Sequence, residues 1–418
     1  MHPSLNRNLI WIAAIALVAS ACAGGVDVGE NPPESTSPTT TGPATAPAPT
    51  TTSNGGSATT DNRTPEVLFA TEVWPTDWAN TTIDLSELKL GIGSPDPRDL
   101  IRPLDEPAYE TGSSAAEWMN DREIGISVSI GGLPRFYPLR ILTSHEIVND
   151  RVNDIPYSVT YCPLCNTGVV FDRRVGDQVL RFGVSGLLRN SDLVMWDSET
   201  VSLWQQITGE GIVGEFAGVE LDVIPSAMLR WADFMDAFPE GEVLSRNTEF
   251  GFAYESNAYV GYTSRPAPIG SFFDAELDDR FPALERVVGV DVDDEVKAFP
   301  FSILERVRAV NDEIGGEPIA VWWAPTGAAD NFDGTAVGEG RDIGTGIAFS
   351  RRLDGDVLTF EASEGTTFVD LETGSTWNIL GAAISGPLEG SQLALAQHQN
   401  EFWFAWSAFH PGAAVADL

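Results

Sequence analysis

Apolar and polar positions alternate with a period of two in several short runs bounded by Gly, Asp and Pro: IGISVSI at 124–130, YSVTY at 157–161, GVVF at 168–171 and VLRF at 179–182. That period sends successive side chains to opposite faces, so each run is expected to be a strand. Two stretches carry helical spacing instead. Pro138 to Asn149 starts on Pro and places Leu139, Leu142, Ile147 and Val148 at apolar positions; Ser226 to Phe238 opens on a Ser cap and carries Met228, Leu229, Trp231, Ala232 and Met235. The expected fold class is α+β, rich in antiparallel strands.

The pattern is written twice. Phe136 to Cys165 aligns without a gap onto Ala298 to Gly327, so that Pro138, Ile141, Leu142, Asn149, Asp150, Pro156, Val159 and Pro163 match Pro300, Ile303, Leu304, Asn311, Asp312, Pro318, Val321 and Pro325. GVVFDRRVGDQVLRF then matches GIAFSRRLDGDVLTF, DSETVSLW matches DLETGSTW, and Gly218, Leu221, Trp231 and Pro239 fall on Gly390, Leu393, Trp403 and Pro411. Two homologous tandem units from an internal duplication are expected, over 119–240 and 281–418, joined by a connector at 241–280. The Pro-dense stretch at 65–118 is expected to wrap the first unit as an irregular arm.

The N-terminus adds an address. An apolar run of 11 residues, Leu9 to Ala19, follows His2 and Arg7 and precedes Ala19-Ser20-Ala21-Cys22. A spanning helix needs ~20 residues, so residues 1–22 fit a lipoprotein-type signal peptide with Cys22 as the lipidated residue. Residues 23–64 are rich in Pro, Thr, Ser, Gly and Ala, with too few large apolar groups to offset the entropy of ordering, and are expected to be a disordered linker. The expectation is an exported protein, lipid-anchored to the cell membrane and facing the extracytoplasmic side, on a tether reaching between ~35 and ~130 Å.

Charge then narrows the partners. The chain of 418 residues has a formal net charge of −37, and its basic residues are nearly all Arg. Such a surface repels phosphate backbones, so no nucleic-acid partner is expected. The 43% hydrophobic content, with 12 Trp and 21 Phe, is enough for well-filled cores. Ser185 lies in GVSG, which does not match the G-x-S-x-G nucleophile turn, and there is no P-loop, dinucleotide fingerprint or EF-hand loop.

Candidate chemistry concentrates in Tyr161 to Gly168, Y-C-P-L-C-N-T-G, which holds two of the three cysteines. Between two strands this has the form of a metal-binding knuckle, with Pro setting the turn and backbone N–H groups aimed at sulfur. Three uses remain open: a metal site, a redox dithiol and a structural disulfide, the last a weak staple because so short a loop removes little chain entropy, roughly 2 kcal/mol. The second unit sharpens the choice. Cys162 and Cys165 align with Ala324 and Gly327, His145 with Val307 and Met195 with Phe368, while the intervening Pro is kept. Four soft or imidazole groups lost together suggest one shared site. Two thiolates with His145 and the Met195 thioether would suit copper(I) or a similar soft metal; in a redox role one Cys attacks, the other resolves and His145 tunes the thiolate. Taken singly, His145 also suits a packed helix position and Met195 a core position. The competing class is a non-catalytic extracytoplasmic binding or scaffold protein.

HEIVND, VTYCPLCNTGVVFDR, FGVSGLLRNSDLVMWDSETVSLWQQ and EFWFAWSAFHP together resemble the bacterial and archaeal family catalogued as domain of unknown function 3179. The resemblance covers about 85–418. It implies no assigned activity; some members are described as selenoproteins, which implies a reactive chalcogen site.

Overall fold

IGISVSI forms the strand Ile124–Ile130 and turns back through Gly131 and Gly132, both at positive φ, into the antiparallel strand Leu133–Pro138. A two-residue turn of this kind matches the twist of its strands only when both residues tolerate the left-handed region. The structure is a computed structural model that describes residues 61–252, 254–293 and 295–417. The signal segment, Cys22 and most of the 23–64 linker lie outside the described residues.

Pro138 starts the helix Leu139–His145, which buries Leu139, Ile141 and Leu142 and stops where Glu146 takes φ 59°. The antiparallel strands Ile147–Val152, Ile155–Cys162 and Thr167–Asp172 follow, registered by Ile147 opposite Thr160 and Cys162 opposite Thr167. A second sheet is built on the hairpin Phe182–Arg189 and Asp192–Asp197, continued by Leu203–Gln205 and Gly211–Val213. Finally Ala227–Arg230 returns to pair with Ile124–Ile130 and leads into the helix Trp231–Ala237.

The same order of pairings occupies residues 286–409. Arg286–Val292 pairs with Glu295–Pro300; the helix Phe301–Val307 follows, then Ala309–Ile314, Glu317–Ala324 and Thr345–Ser350 as a three-stranded sheet. The hairpin Phe360–Ala362 and Phe368–Asp370 comes next, and His398–Phe402 closes back onto Arg286–Val292 before the helix Trp403–Phe409. Side-chain bonds repeat as well. Asn149 donates to Phe182 O and accepts from Phe182 N, as Asn311 does with Phe360. Asp197 accepts from Thr200 N, Ser202 N and Trp204 Nε1, as Asp370 does from Thr373 N, Ser375 N and Trp377 Nε1.

The α+β expectation is overturned. Strands take 38% of the structure and helices 13%, in six helices of seven residues or fewer, so the fold is β-rich. The physical reason lies in the two helical readings. Ser226–Phe238 splits, because Met228 and Leu229 bury on opposite faces of the strand Ala227–Arg230, in two different apolar clusters, and only Trp231 onward is helical. Pro138–Asn149 likewise ends its helix at His145, since Ile147 and Val148 are claimed by pairing with Thr160 and Val159. VLRF is not one strand either: Gln178–Val179 and Phe182–Arg189 are separate.

Residues 59–418 form one compact unit. The 65–118 stretch is anchored by the strand Lys89–Leu90, opposite Leu188 and Leu187, and by Tyr109–Thr111, which pairs with Glu242–Leu244. Among the described residues no helix is long and apolar enough to cross a membrane.

The buried Asp197 carboxylate is expected to be a structural anchor. Asp197→Ala strands three donors in the interior and should cost about 2–4 kcal/mol, read as a lower urea midpoint at unchanged slope, and Asp370→Ala should cost a similar amount because its partners are the same. A difference of more than twofold between the two would contradict that equivalence.

Candidate metal centre

The turn between Ile155–Cys162 and Thr167–Asp172 spans Pro163 to Asn166. It is closed by Asn166 N donating to Pro163 O at 3.3 Å, with Asn166 at φ 55°. Cys162 ends one strand and Cys165 sits inside the turn, so the CxxC spacing turns both side chains into the same interior. Both are free thiols, and both are buried, 2% and 0% exposed.

A third group arrives from the neighbouring sheet. Asn190 and Ser191, at φ 48° and 65°, form the two-residue turn of the hairpin, and Asp192 opens its second strand. The turn tip is pinned to Cys162, whose Sγ donates to Ser191 O at 3.5 Å. Both sulfurs and a carboxylate oxygen of Asp192 lie within 4.8 Å of one another, all buried. Asp192 Oδ2 accepts from Gln205 Nε2 at 2.6 Å and from Ile207 N at 3.0 Å, which fixes its carboxylate plane. Its Oδ1 has no hydrogen-bond partner among the described residues.

Two further carboxyl groups surround this cluster. Glu146 is buried at the helix end, and Glu401 is fully buried on His398–Phe402 with neither carboxyl oxygen partnered among the described residues. Burial, with the Asp192 charge next, pushes Glu146 up to about 8; burial pushes Asp192 up to about 7 and Glu401 well above the carboxylate range. The thiols are also raised, Cys165 far above its ordinary value, by burial first. Among the described residues no Arg or Lys salt bridge reaches Asp192, Glu146 or Glu401. Among the described residues this interior thus holds three acids with no ion-paired cation, and burial disfavours their charged forms.

The structure places the expected ligands unequally. Met195 packs in the same apolar cluster as both cysteines, on the strand Asp192–Asp197. His145 turns elsewhere: Nδ1 lies 2.6 Å from Arg102 O and Nε2 2.7 Å from Tyr254 Oη, with Phe250 and Phe252 packed on the ring. His145→Phe is therefore expected to leave any metal affinity within about twofold of wild type while lowering stability by about 1–3 kcal/mol through the stranded Tyr254 and Arg102 groups. Equilibrium metal titration and urea denaturation separate the two effects.

Sequence reasoning passed over Asp192, Glu146 and Glu401. One signal was within reach: Phe182 to Asp197 in the first half is 16 residues, against 11 from Phe360 to Asp370, and Asn190-Ser191-Asp192 falls in the longer hairpin.

Fold and cluster together define a class: a β-rich protein whose first half contributes two thiols and a carboxylate to an interior that the second half helps to enclose. Residues 98–413 match the family described as Protein of unknown function (DUF3179), and the chain belongs to that family. No curated protein and no solved structure matches it.

Proposed function

We propose that the protein binds a thiophilic metal ion through Cys162, Cys165 and Asp192, in an extracytoplasmic location to which the N-terminal signal and Cys22 tether it. The observation that carries the reading is the convergence of three donor groups within 4.8 Å in a buried interior where Asp192 Oδ1 lacks a partner. Two sulfurs and one carboxylate make a mixed set that suits a divalent d10 ion such as zinc. Charge points the same way. Two thiolates and a carboxylate carry three negative charges, of which a dication leaves one and copper(I) leaves two in a medium that penalises each. Copper(I) gains ground only if the Met195 thioether takes the place of Asp192.

A redox dithiol is the weaker use of the same groups. Attack on a disulfide requires a sulfur with access to its target, and both sulfurs here are buried. Export supports ligation further, because two neighbouring thiols in an oxidising compartment are exposed to disulfide formation unless an ion holds them. The support for export itself is the apolar run at 9–19 and the Ala19-Ser20-Ala21-Cys22 sequence.

The test is competition of the reduced mature protein against a chromophoric chelator for zinc and, anaerobically, for copper(I). One equivalent of zinc, lost in Asp192→Asn, is the expected result; binding that ignores Asp192→Asn and falls with Met195→Leu would replace zinc by copper(I), and no binding of either would end the metal reading.

A further inference from the structure

Three protein donors leave a tetrahedral ion one short, and the second half of the chain supplies a fully buried carboxylate on the strand that bonds to Cys165 O. Along His398–Phe402, residues two apart share a face. Gln399 shows which face: its Nε2 donates to Ile207 O at 3.1 Å, and Ile207 N in turn donates to Asp192 Oδ2. At the other end of the strand, Phe402 N donates to Cys165 O at 2.9 Å. Glu401 stands between these two anchors and on the face of Gln399; its carboxyl lies outside the group of Cys162, Cys165 and Asp192 whose donor atoms are within 4.8 Å of one another, so a turn of its side chain has to bring it to the ion. Asn400, one position off, points the other way and donates to Gly346 O.

Both Glu401 oxygens are buried without a partner among the described residues. Leaving a carboxyl so costs about 1–3 kcal/mol or more, which an interior does not ordinarily carry without a use. The corresponding position in the first half gives a control within the molecule. Glu401 pairs with Val287 as Leu229 pairs with Gly125, and Leu229 is buried in an apolar cluster with Ala324 and Trp322. On Ala227–Arg230 the position is Leu229, packed with Ala324 and Trp322; on His398–Phe402, whose Phe402 bonds to Cys165 O, it is Glu401. The carboxylate thus goes with the sulfurs.

We propose that Glu401 is the fourth ligand of the ion held by Cys162, Cys165 and Asp192, supplied by the closing strand of the second half. This rests on the metal reading above. Coordination through one oxygen gives the Glu401 carboxyl the positive partner it lacks, makes the set two sulfurs and two carboxylates, which leaves zinc two net negative charges where copper(I) would leave three, and closes the site as a structural centre rather than leaving a position for water.

The probe is zinc, with cobalt(II) as its spectroscopic substitute, on the full chain beginning at the mature N-terminus. Glu401→Gln, which keeps the volume, is expected to weaken zinc binding at least about 100-fold, and Glu401→Asp to recover part of the loss. If wild type binds zinc and Glu401→Gln binds it equally well, the fourth-ligand assignment is overturned while the three-ligand reading stands. If wild type binds no zinc, it is the three-ligand reading that fails. Should Glu401→Gln not fold, wild type still decides: cobalt(II)-loaded protein with a closed site shows no exchangeable water on the ion by solvent proton relaxation, and a rapidly exchanging water there would overturn the assignment.

Discussion

Cys162→Ser and Cys165→Ser should each abolish stoichiometric zinc binding, with affinity falling more than about 100-fold, while the metal-free proteins unfold at nearly the same urea concentration as the metal-free wild type. The first half of this expectation follows from the chemistry: a neutral hydroxyl replaces a thiolate at a site where second-shell losses alone cost 10–100-fold. The second half follows from the environment. Cys162 Sγ donates to Ser191 O, a bond that a serine hydroxyl can also make, and neither sulfur cross-links the chain. Stability of the metal-free variants should therefore stay within about 1 kcal/mol of wild type. Zinc should raise the wild-type midpoint and leave both variants unmoved, because an ion that binds only the folded state stabilises it by mass action. A zinc-independent collapse of the serine variants would assign the cysteines to packing alone.

The second large effect is on the pH dependence of stability. Asp192 and Glu146 hold their protons to about 7 and about 8 in the folded chain, whereas in the unfolded chain they release them near ~4. Below that the two states bind these protons equally and nothing is lost. Between about 4 and 8 the folded state binds more protons than the unfolded one, so stability must fall as pH rises, and it levels off above the folded values. The loss should amount to roughly 6 kcal/mol for the metal-free protein between pH 5 and pH 8, a little over half of it from Glu146. On the acid side the sign reverses. Asp330 and Asp370 are held below the ordinary carboxylate range despite opposing burial, Asp330 chiefly by the Arg286 charge and Asp370 by the Trp377 and Thr373 hydrogen bonds, and the stability they contribute is lost only as pH falls below about 4. Zinc inverts the neutral range, since its ligands must lose their protons to bind it, so the loaded protein should be more stable at pH 8 than at pH 5. Urea midpoints at the two pH values, with chelator and with zinc, read the effect, and Asp192→Asn should flatten the metal-free slope. A flat wild-type profile in chelator would mean that the buried acids are compensated by something other than protons.

What the sequence discloses here depends on how far each residue's partners lie along the chain. Ile124–Ile130 is legible to its ends because its alternation and its Gly131-Gly132 turn are local. The strand Ala227–Arg230 is not, because its pairing partner lies about a hundred residues earlier and its apolar residues run on into those of the following helix. The site divides the same way. Cys162 and Cys165 are visible as a pair three apart, whereas Asp192 and Glu401 become their neighbours only through a hairpin turn and a closing strand. His145 misled for the opposite reason: four residues from Ile141 on a helix and close to the cysteines in sequence, it is claimed by Tyr254 and Arg102 from outside that stretch.

That closing strand also sets a timetable. Cys162, Cys165 and Asp192 leave the ribosome together, but Glu401 follows 209 residues behind Asp192, and Phe402, which bonds the turn between the sulfurs, comes with it. Until His398–Phe402 docks, the interior around the thiols lacks that wall. On the metal reading, an ion would enter before this strand closes, so the site would be filled as the chain folds.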